Sequence, residues 1–289
     1  MILSYYYISI NKKIMVYLNK NKIENNLWFI NGIKENKVNI IDINSENIER
    51  EHICCAMSEK RGECQVASKK EWMKERFSDG LVFKKADVRG KVFIEYIPAE
   101  KAWAPIIADE YMFINCLWVS GQYKGKGISS ELLNECILDS KSKGKKGLVI
   151  LSSNKKMPYL ADSKFLRYKG FLLADSAEPY YELMYFPFNE NVEIPSFKSC
   201  SKYGKINEEG FVLYYCNQCP FTAKYVPIIE DIAKKRNINI KVIKYERTEE
   251  AQNAPAPFTT YSLFYNGNFI TNDILNEKKF IKIIEQIGL

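Results

Sequence analysis

The sequence predicts a mixed α/β (α+β) protein built as two domains, and three observations carry that expectation. Short apolar runs rich in Val, Ile, Phe and Tyr alternate with stretches in which apolar residues recur at helical spacing. A polar segment containing proline and glycine, NENVEIPSFKSCSKYGKINEE at 189–209, separates a longer N-terminal part from the remainder of the chain. One apolar run, YMFINCLWV, breaks into the glycine-rich turn GQYKGKG before a helical pattern begins.

Bulk properties exclude several classes. A chain of 289 residues suits two domains at roughly 100–200 residues each. No apolar run approaches the ~20 residues of a membrane span, so no membrane partner is expected. The opening MILSYYYISINKK places its apolar stretch before its lysines, the reverse of a secretory leader, which predicts a cytoplasmic protein. The net charge of +7 comes from lysines spread among acids, a solvated surface rather than a nucleic-acid footprint. Eight cysteines are too few for a secreted disulfide scaffold, and Cys54, Cys55, Cys64, Cys116, Cys136 and Cys200 lack metal-finger spacing. With one histidine, His52, most conventional triads and every multi-histidine centre are ruled out, and no metal site is expected.

In chain order, residues 1–36 lack a clear period and form an N-terminal extension. KVNIIDINSENIEREHICCAMS predicts a strand and then a helix capped at Ser45, and SKKEWMKERFSDG a second helix stopped by Gly80. LVFKKADV and KVFIEYIPA make a hairpin, and YMFINCLWV a long strand. After the glycine turn, Ile128, Leu132, Leu133, Cys136 and Ile137 share one helical face, with Gly144 as the stop. GLVILSS is a buried strand, PYLADSKFLRYKG a helix, and FLLADSA and YYELMYFPF the closing strands of a domain spanning 37–188. Past the 189–209 linker, the 210–289 domain reads as strand FVLYY, turn CNQCP, a helix containing Pro227, strand INIKVIKYE, a hairpin turning at Asn266 and Gly267, and a last helix.

The glycine turn explains itself physically. A strand that stops there and resumes as a helix gathers unpaired backbone amides and the positive end of a helix dipole at one spot, which suits phosphate. Gly125 and Gly127 let an anion approach the backbone, and Lys124 and Lys126 add charge at the rim. The dipole contributes only ~0.3–2 kcal/mol, so amide hydrogen bonds must do the rest, and a polyphosphate ligand is expected. The spacing is neither that of a P-loop nor G-x-G-x-x-G. It is Q-x-x-G-x-G, through Gln122, Gly125 and Gly127, which resembles the pyrophosphate motif of the GNAT acyltransferases. The surrounding order of elements follows that family from about Val38 to Phe188.

The resemblance implies a central mixed sheet flanked by helices and acetyl-coenzyme A as co-substrate. It implies cofactor contacts from Leu117, Trp118 and Val119 on the strand and from Gln122, Tyr123, Lys124, Gly125, Lys126, Gly127 and Ile128 in the turn. It also implies direct attack of a primary amine, on a small molecule or a protein, upon the thioester, helped by a base and an acid. In many relatives a tyrosine acid stands where this chain has Leu166; Tyr168 is the nearest substitute. Glu95, Asp109 and Glu110 are the base candidates, Glu95 the first of them, each otherwise expected as a solvated surface acid. Cys116, near the implied thioester, is expected as a buried strand residue.

In the second domain, Cys216 and Cys219 lie between a strand and a helix, where a helix N-terminus lowers a thiolate pKa. That position, with Pro257 before a strand, resembles a thioredoxin-like fold with a cis proline. A redox pair and a binding role stay open for it. QNAPAPFTTYSLFYNGNFIT resembles the YoaP-like acetyltransferases. The alternative function is a thiol-disulfide module whose N-terminal domain only senses coenzyme A.

Overall fold

The structure, a computed structural model, describes residues 38–53 and 55–289. The extension expected over 1–36 and Cys54 lie outside the described residues. Strand β1 (Ile40–Ile43) ends at Asn44, whose side-chain oxygen accepts the amides of Glu46 and Asn47 at 2.9 and 3.2 Å. Asn47 returns a bond to the Asp42 carbonyl at 2.8 Å. Such local bonds compete with a helical ladder. Residues 45–50 therefore run as turns, and the helix expected from Ser45 does not form.

Helix α1 (Gln65–Phe77) follows, and Gly80, at φ +88°, turns the chain into the hairpin of β2 (Val82–Ala86) and β3 (Val92–Pro98). A short β4 (Ile106–Ile107) precedes the long β5 (Tyr111–Val119), helix α2 (Ile128–Ser142) and the fully buried β6 (Gly147–Ser153). After β7 (Ala161–Asp162) comes α3 (Ser163–Tyr168), shorter than the sequence suggested. The Asp162 carboxylate caps the amides of Lys164 and Phe165, so the helix starts there and not at Pro158. Strands β8 (Leu172–Ala177) and β9 (Tyr181–Pro187) complete an eight-stranded sheet in the order β1-β2-β3-β5-β6-β9-β8, with β7 paired to β6. Only β5/β6 and β6/β7 are parallel within it.

Alternation along the strands divides the sheet into two faces. Tyr96, on one, reaches across to α2, its hydroxyl 3.0 Å from Asp139. Phe83, Phe93, Phe113 and Leu151, on the other, pack in one core with Trp72 and Met73 of α1.

The segment 189–209 supplies β10 (Ser196–Phe197), paired with β4, and a helical turn at Ser199–Ser201. Beyond it run β11 (Phe211–Tyr215), α4 (Pro220–Lys235), β12 (Ile240–Lys244), α5 (Thr248–Gln252), β13 (Tyr261–Tyr265), β14 (Asn268–Thr271) and α6 (Glu277–Ile287). Their sheet has the order β12-β11-β13-β14, with β11 and β12 parallel. Asn266 and Gly267 take φ of +44° and +78° at the β13–β14 turn, where the twist of a tight hairpin favours positive φ. The cis peptide among the described residues is Glu178–Pro179, so the cis bond considered at Pro257 is not present.

The second sheet docks on the α1 face of the first. Cys216, Tyr245, Ala251 and Ala254 share one core with Trp72, Trp103 and Phe197. Polar bonds frame the contact: Trp103 Nε1 donates to Thr248 Oγ1 at 3.1 Å, Gln252 Nε2 donates to the Glu100 and Ala102 carbonyls at 3.0 and 3.1 Å, and the Thr259 hydroxyl donates to the Trp103 carbonyl. Residues 40–289 form one compact unit.

Candidate active site

The first sheet opens where β5 bulges. Its register with β3 passes from Tyr96↔Ile114 to Glu95↔Cys116, which leaves Asn115 without an opposite residue. Pairing with β6 stops at the same level, at Ile114↔Ile150, and the end of β6 pairs instead with β7 through Ser152 and Ser153. The half of β5 that carries Leu117, Trp118 and Val119 is thus paired to β3 on one side and free of β6 on the other. A free strand edge of this kind accepts an extended, amide-bearing chain by β-type hydrogen bonds.

The free edge leads into the glycine turn. Gln122 and Tyr123 sit in a short helical turn (Gly121–Tyr123), and Gly125 and Gly127 follow at φ +75° and +80°, a region that side chains with a Cβ seldom adopt. Gly127 caps α2, so the amides of Ile128 and Ser129 open the helix without intrahelical partners. Lys124, Gly125 and Lys126 are exposed, and among the described residues a Cβ at Gly125 or Gly127 would meet nothing within 4 Å. Here the glycines serve backbone conformation and an open approach, not close packing.

Glu95 does not behave as the surface acid the sequence suggested. It is 2% exposed, and its Oε2 lies 2.5 Å from Nζ of Lys69, itself 1% exposed, on α1. Its Oε1 accepts Nδ2 of Asn115, the bulged residue, at 2.9 Å. Lys69 also stands 4.2 Å from the Trp72 ring centroid, a cation–π contact. Asp109 and Glu110 are exposed at the far end of β5, where Glu110 pairs with Lys146. Neither Lys69 nor Asn115 was picked out from the sequence. A signal existed: Lys69 shares its helical stripe with Gln65, Trp72 and Met73, all buried, and a lysine in an apolar stripe needs a carboxylate partner.

Tyr168, the last residue of α3, is 74% exposed. Its neighbour Lys169 lies 5.0 Å from the Tyr168 ring centroid and bonds Ser130 in the first turn of α2 at 2.6 Å, which sets Tyr168 beside the glycine turn. Leu166, in the slot that the resemblance assigns to an acid, is buried. Cys116 is half-buried, and burial holds its thiol well above the ordinary range.

The paired cysteines differ from expectation. Cys216 has no exposure, and burial pushes its thiol up to about 12 despite the adjacent helix start. Desolvation penalises the thiolate more than the helix amides favour it. Cys219 is half-buried and is the N-cap residue of α4. The charges of Lys69 and Glu95 both reach Cys55, Cys116 and Cys216.

Comparison with known proteins agrees with this architecture. The Acetyltransferase (GNAT) family profile matches residues 47–160, and the YoaP-like profile matches residues 239–282. The chain is 44% identical over 248 residues to the uncharacterized N-acetyltransferase YoaP of Bacillus subtilis, covering 86% of this chain and 99% of that one. Solved structures similar to it include the PaiA N-acetyltransferase of Thermoplasma acidophilum in complex with coenzyme A, at 20% identity and TM-score 0.36, covering 53% of this chain and 100% of that one. A GNAT family acetyltransferase of Brucella melitensis in complex with acetyl-CoA is 13% identical at TM-score 0.34, covering 55% and 93%. The near-complete match to YoaP, together with the acetyltransferase profile, makes the chain a member of the GNAT family of N-acetyltransferases, with a YoaP-like C-terminal segment.

Proposed function

We propose that the protein transfers the acetyl group of acetyl-CoA to a primary amine by direct attack of the amine nitrogen on the thioester. The observation that carries this reading is the free edge of β5 running straight into the Gln122–Gly125–Gly127 turn. The turn suits the pyrophosphate, through the open amides at the start of α2 and the rims Lys124 and Lys126. The edge at Leu117, Trp118 and Val119 suits the pantetheine amides, which places the thioester near the bulge at Asn115 and Cys116. Bound acetyl-CoA supplies an activated carbonyl carbon there.

Glu95 is the proton acceptor for the amine, since amines are mostly protonated at neutral pH and the carboxylate lies beside the bulge. Tyr168, set beside the glycine turn, stands at the pyrophosphate end of the proposed cofactor path, so the proton of the leaving thiolate is assigned to the attacking amine. The C-terminal sheet is thioredoxin-like in its order of elements, with parallel β11 and β12 around α4 followed by antiparallel β13 and β14, and it walls the acceptor side. A trans Pro257 departs from that pattern. A thiol-disulfide function is not favoured, because the buried Cys216 thiol stays protonated at neutral pH.

Calorimetric titration of acetyl-CoA into the wild type and into Gly125→Glu tests the cofactor site. Micromolar binding to the wild type, lost when a carboxylate faces the pyrophosphate, is expected; a wild type that does not bind would sink the proposal. Glu95→Gln is expected to lower kcat by about 10²–10⁴-fold while acetyl-CoA binding persists.

A further inference from the structure

The bulge on β5 carries a polar group with no partner among the described residues. Asn115 Nδ2 faces Glu95 Oε1 at 2.9 Å, and the opposite orientation of the amide would set its oxygen against a carboxylate. The Oδ1 atom must then point the other way, and it is buried with no hydrogen-bond partner among the described residues. A buried acceptor left unpaired is unfavourable, and its natural complement is an N–H donor. Each oxygen of Glu95 has accepted one bond, from Lys69 and from Asn115, and a carboxylate oxygen has room for a second. An unfilled amide oxygen and a carboxylate with room for a further bond, linked through the Asn115 side chain, therefore lie where β5 leaves β6.

Among the described residues, the charge on Glu95 is met by one paired cation. Lys69 of α1 is the cation against it; Lys91 acts on Cys55 and Cys219 on Cys116, and the thiols around the pair include Cys116 from β5, Cys55 from the segment before α1 and Cys216 just after β11. Burial raises all three thiols, so they stay neutral at physiological pH. A carboxylate this deeply buried is costly without an opposite charge beside it, and Lys69 supplies that charge.

We propose that Glu95 and Asn115 form the acceptor-amine subsite, the carboxylate and the orphaned Oδ1 receiving two N–H groups of the incoming primary amine, with Lys69 as the positioning residue that keeps Glu95 ionised and aimed. The assignment rests on the reading of the β5–β6 opening as the acetyl-transfer site. The protonated amine gives one proton to Glu95. The freed lone pair then forms the C–N bond, the C–S bond breaks, and coenzyme A leaves as a thiolate that takes up one of the two remaining N–H protons. The amide keeps the other, and Glu95 returns its proton to water.

The test uses the full chain with ethylamine, phenethylamine and spermidine as probes, acetylated product being read by mass spectrometry, and pH profiles taken on the probe the wild type acetylates fastest. Asn115→Leu is expected to raise the KM for the amine about tenfold, the loss of one hydrogen bond, with acetyl-CoA binding unchanged. Lys69→Met is expected to move the acid limb of kcat/KM upward by on the order of one to two pH units, whereas Lys69→Arg leaves the limb in place and lowers kcat. An unchanged amine KM in Asn115→Leu, or a limb that stays put in Lys69→Met, overturns the subsite. Should Lys69→Met fail to bind acetyl-CoA and so not fold, Lys69→Arg decides: a wild-type kcat overturns the positioning role. Failure of the underlying reading looks different. Full activity in Glu95→Gln removes Glu95 as base, and a wild type that binds acetyl-CoA but acetylates none of the probes overturns the subsite along with the proposed amine chemistry.

Discussion

Gly125 and Gly127 are legible at the scale of single residues, because a positive φ is a backbone requirement that only glycine meets without strain. Lys69, Glu95 and Asn115 are not, because their meaning comes from one another: a lysine on a helix, an acid on a strand and an amide at a bulge, separated in the chain and joined by bonds of 2.5 and 2.9 Å. The cysteines make the same point. C-x-x-C before a helix suggests a reactive thiolate, yet Cys216 is buried and its thiol titrates far above neutrality. Brief alkylation at neutral pH followed by peptide mass spectrometry should therefore label the exposed Cys64 and Cys200 first and leave Cys216 and Cys136 protected. Rapid labelling of Cys216 in the folded protein would contradict its burial.

Among elements, the successes and failures of sequence reading have one cause. Long strands and helices such as β5, α2 and β6 are set by many residues repeating one pattern, and they fall where the periodicity puts them. The helix expected from Ser45 fails because two asparagine side chains, Asn44 and Asn47, capture the local backbone. The docking of α4 near α1 is a matter of element contact, and its polar bond joins Lys224 of α4 to Glu63, just before α1, at 2.7 Å. The Lys224 ammonium, with the Lys60 amide and the Gln65 side chain, holds the Glu63 carboxyl at about 2, below its ordinary 4.5. A carboxyl held low in the folded state adds stability above the ordinary pKa and loses it as pH falls through the folded value. Glu63→Gln should thus remove part of the stability decline between about pH 4.5 and 2 while changing little at pH 7 beyond the loss of one partly exposed ion pair. Acid titrations of the two proteins followed by tryptophan fluorescence measure this, and superimposable curves would exclude the contribution.

At the level of the whole molecule, the two sheets share buried residues: Trp103 packs edge-on to Trp72 at 5.7 Å and bonds Thr248 and Thr259 from the C-terminal part. Units with a common core unfold together. Residues 40–289 are therefore expected to melt in a single calorimetric transition, with van't Hoff and calorimetric enthalpies in agreement; two resolved transitions would mean that the sheets are energetically independent. The same packing brings Cys216 and Tyr245 into one core with Trp72 and Trp103.

By itself the sequence determined the alternation of strands and helices, the glycine turn with its amides, and the resemblance that the match to YoaP bears out. These are local or periodic properties, written in neighbouring residues. Tertiary structure alone decided that β5 parts from β6 at Ile114, that Glu95 is buried against Lys69 rather than solvated, and that Cys216 is held as a neutral thiol. Burial, register and charge pairing depend on which distant segments meet, and no short stretch of the chain carries that information.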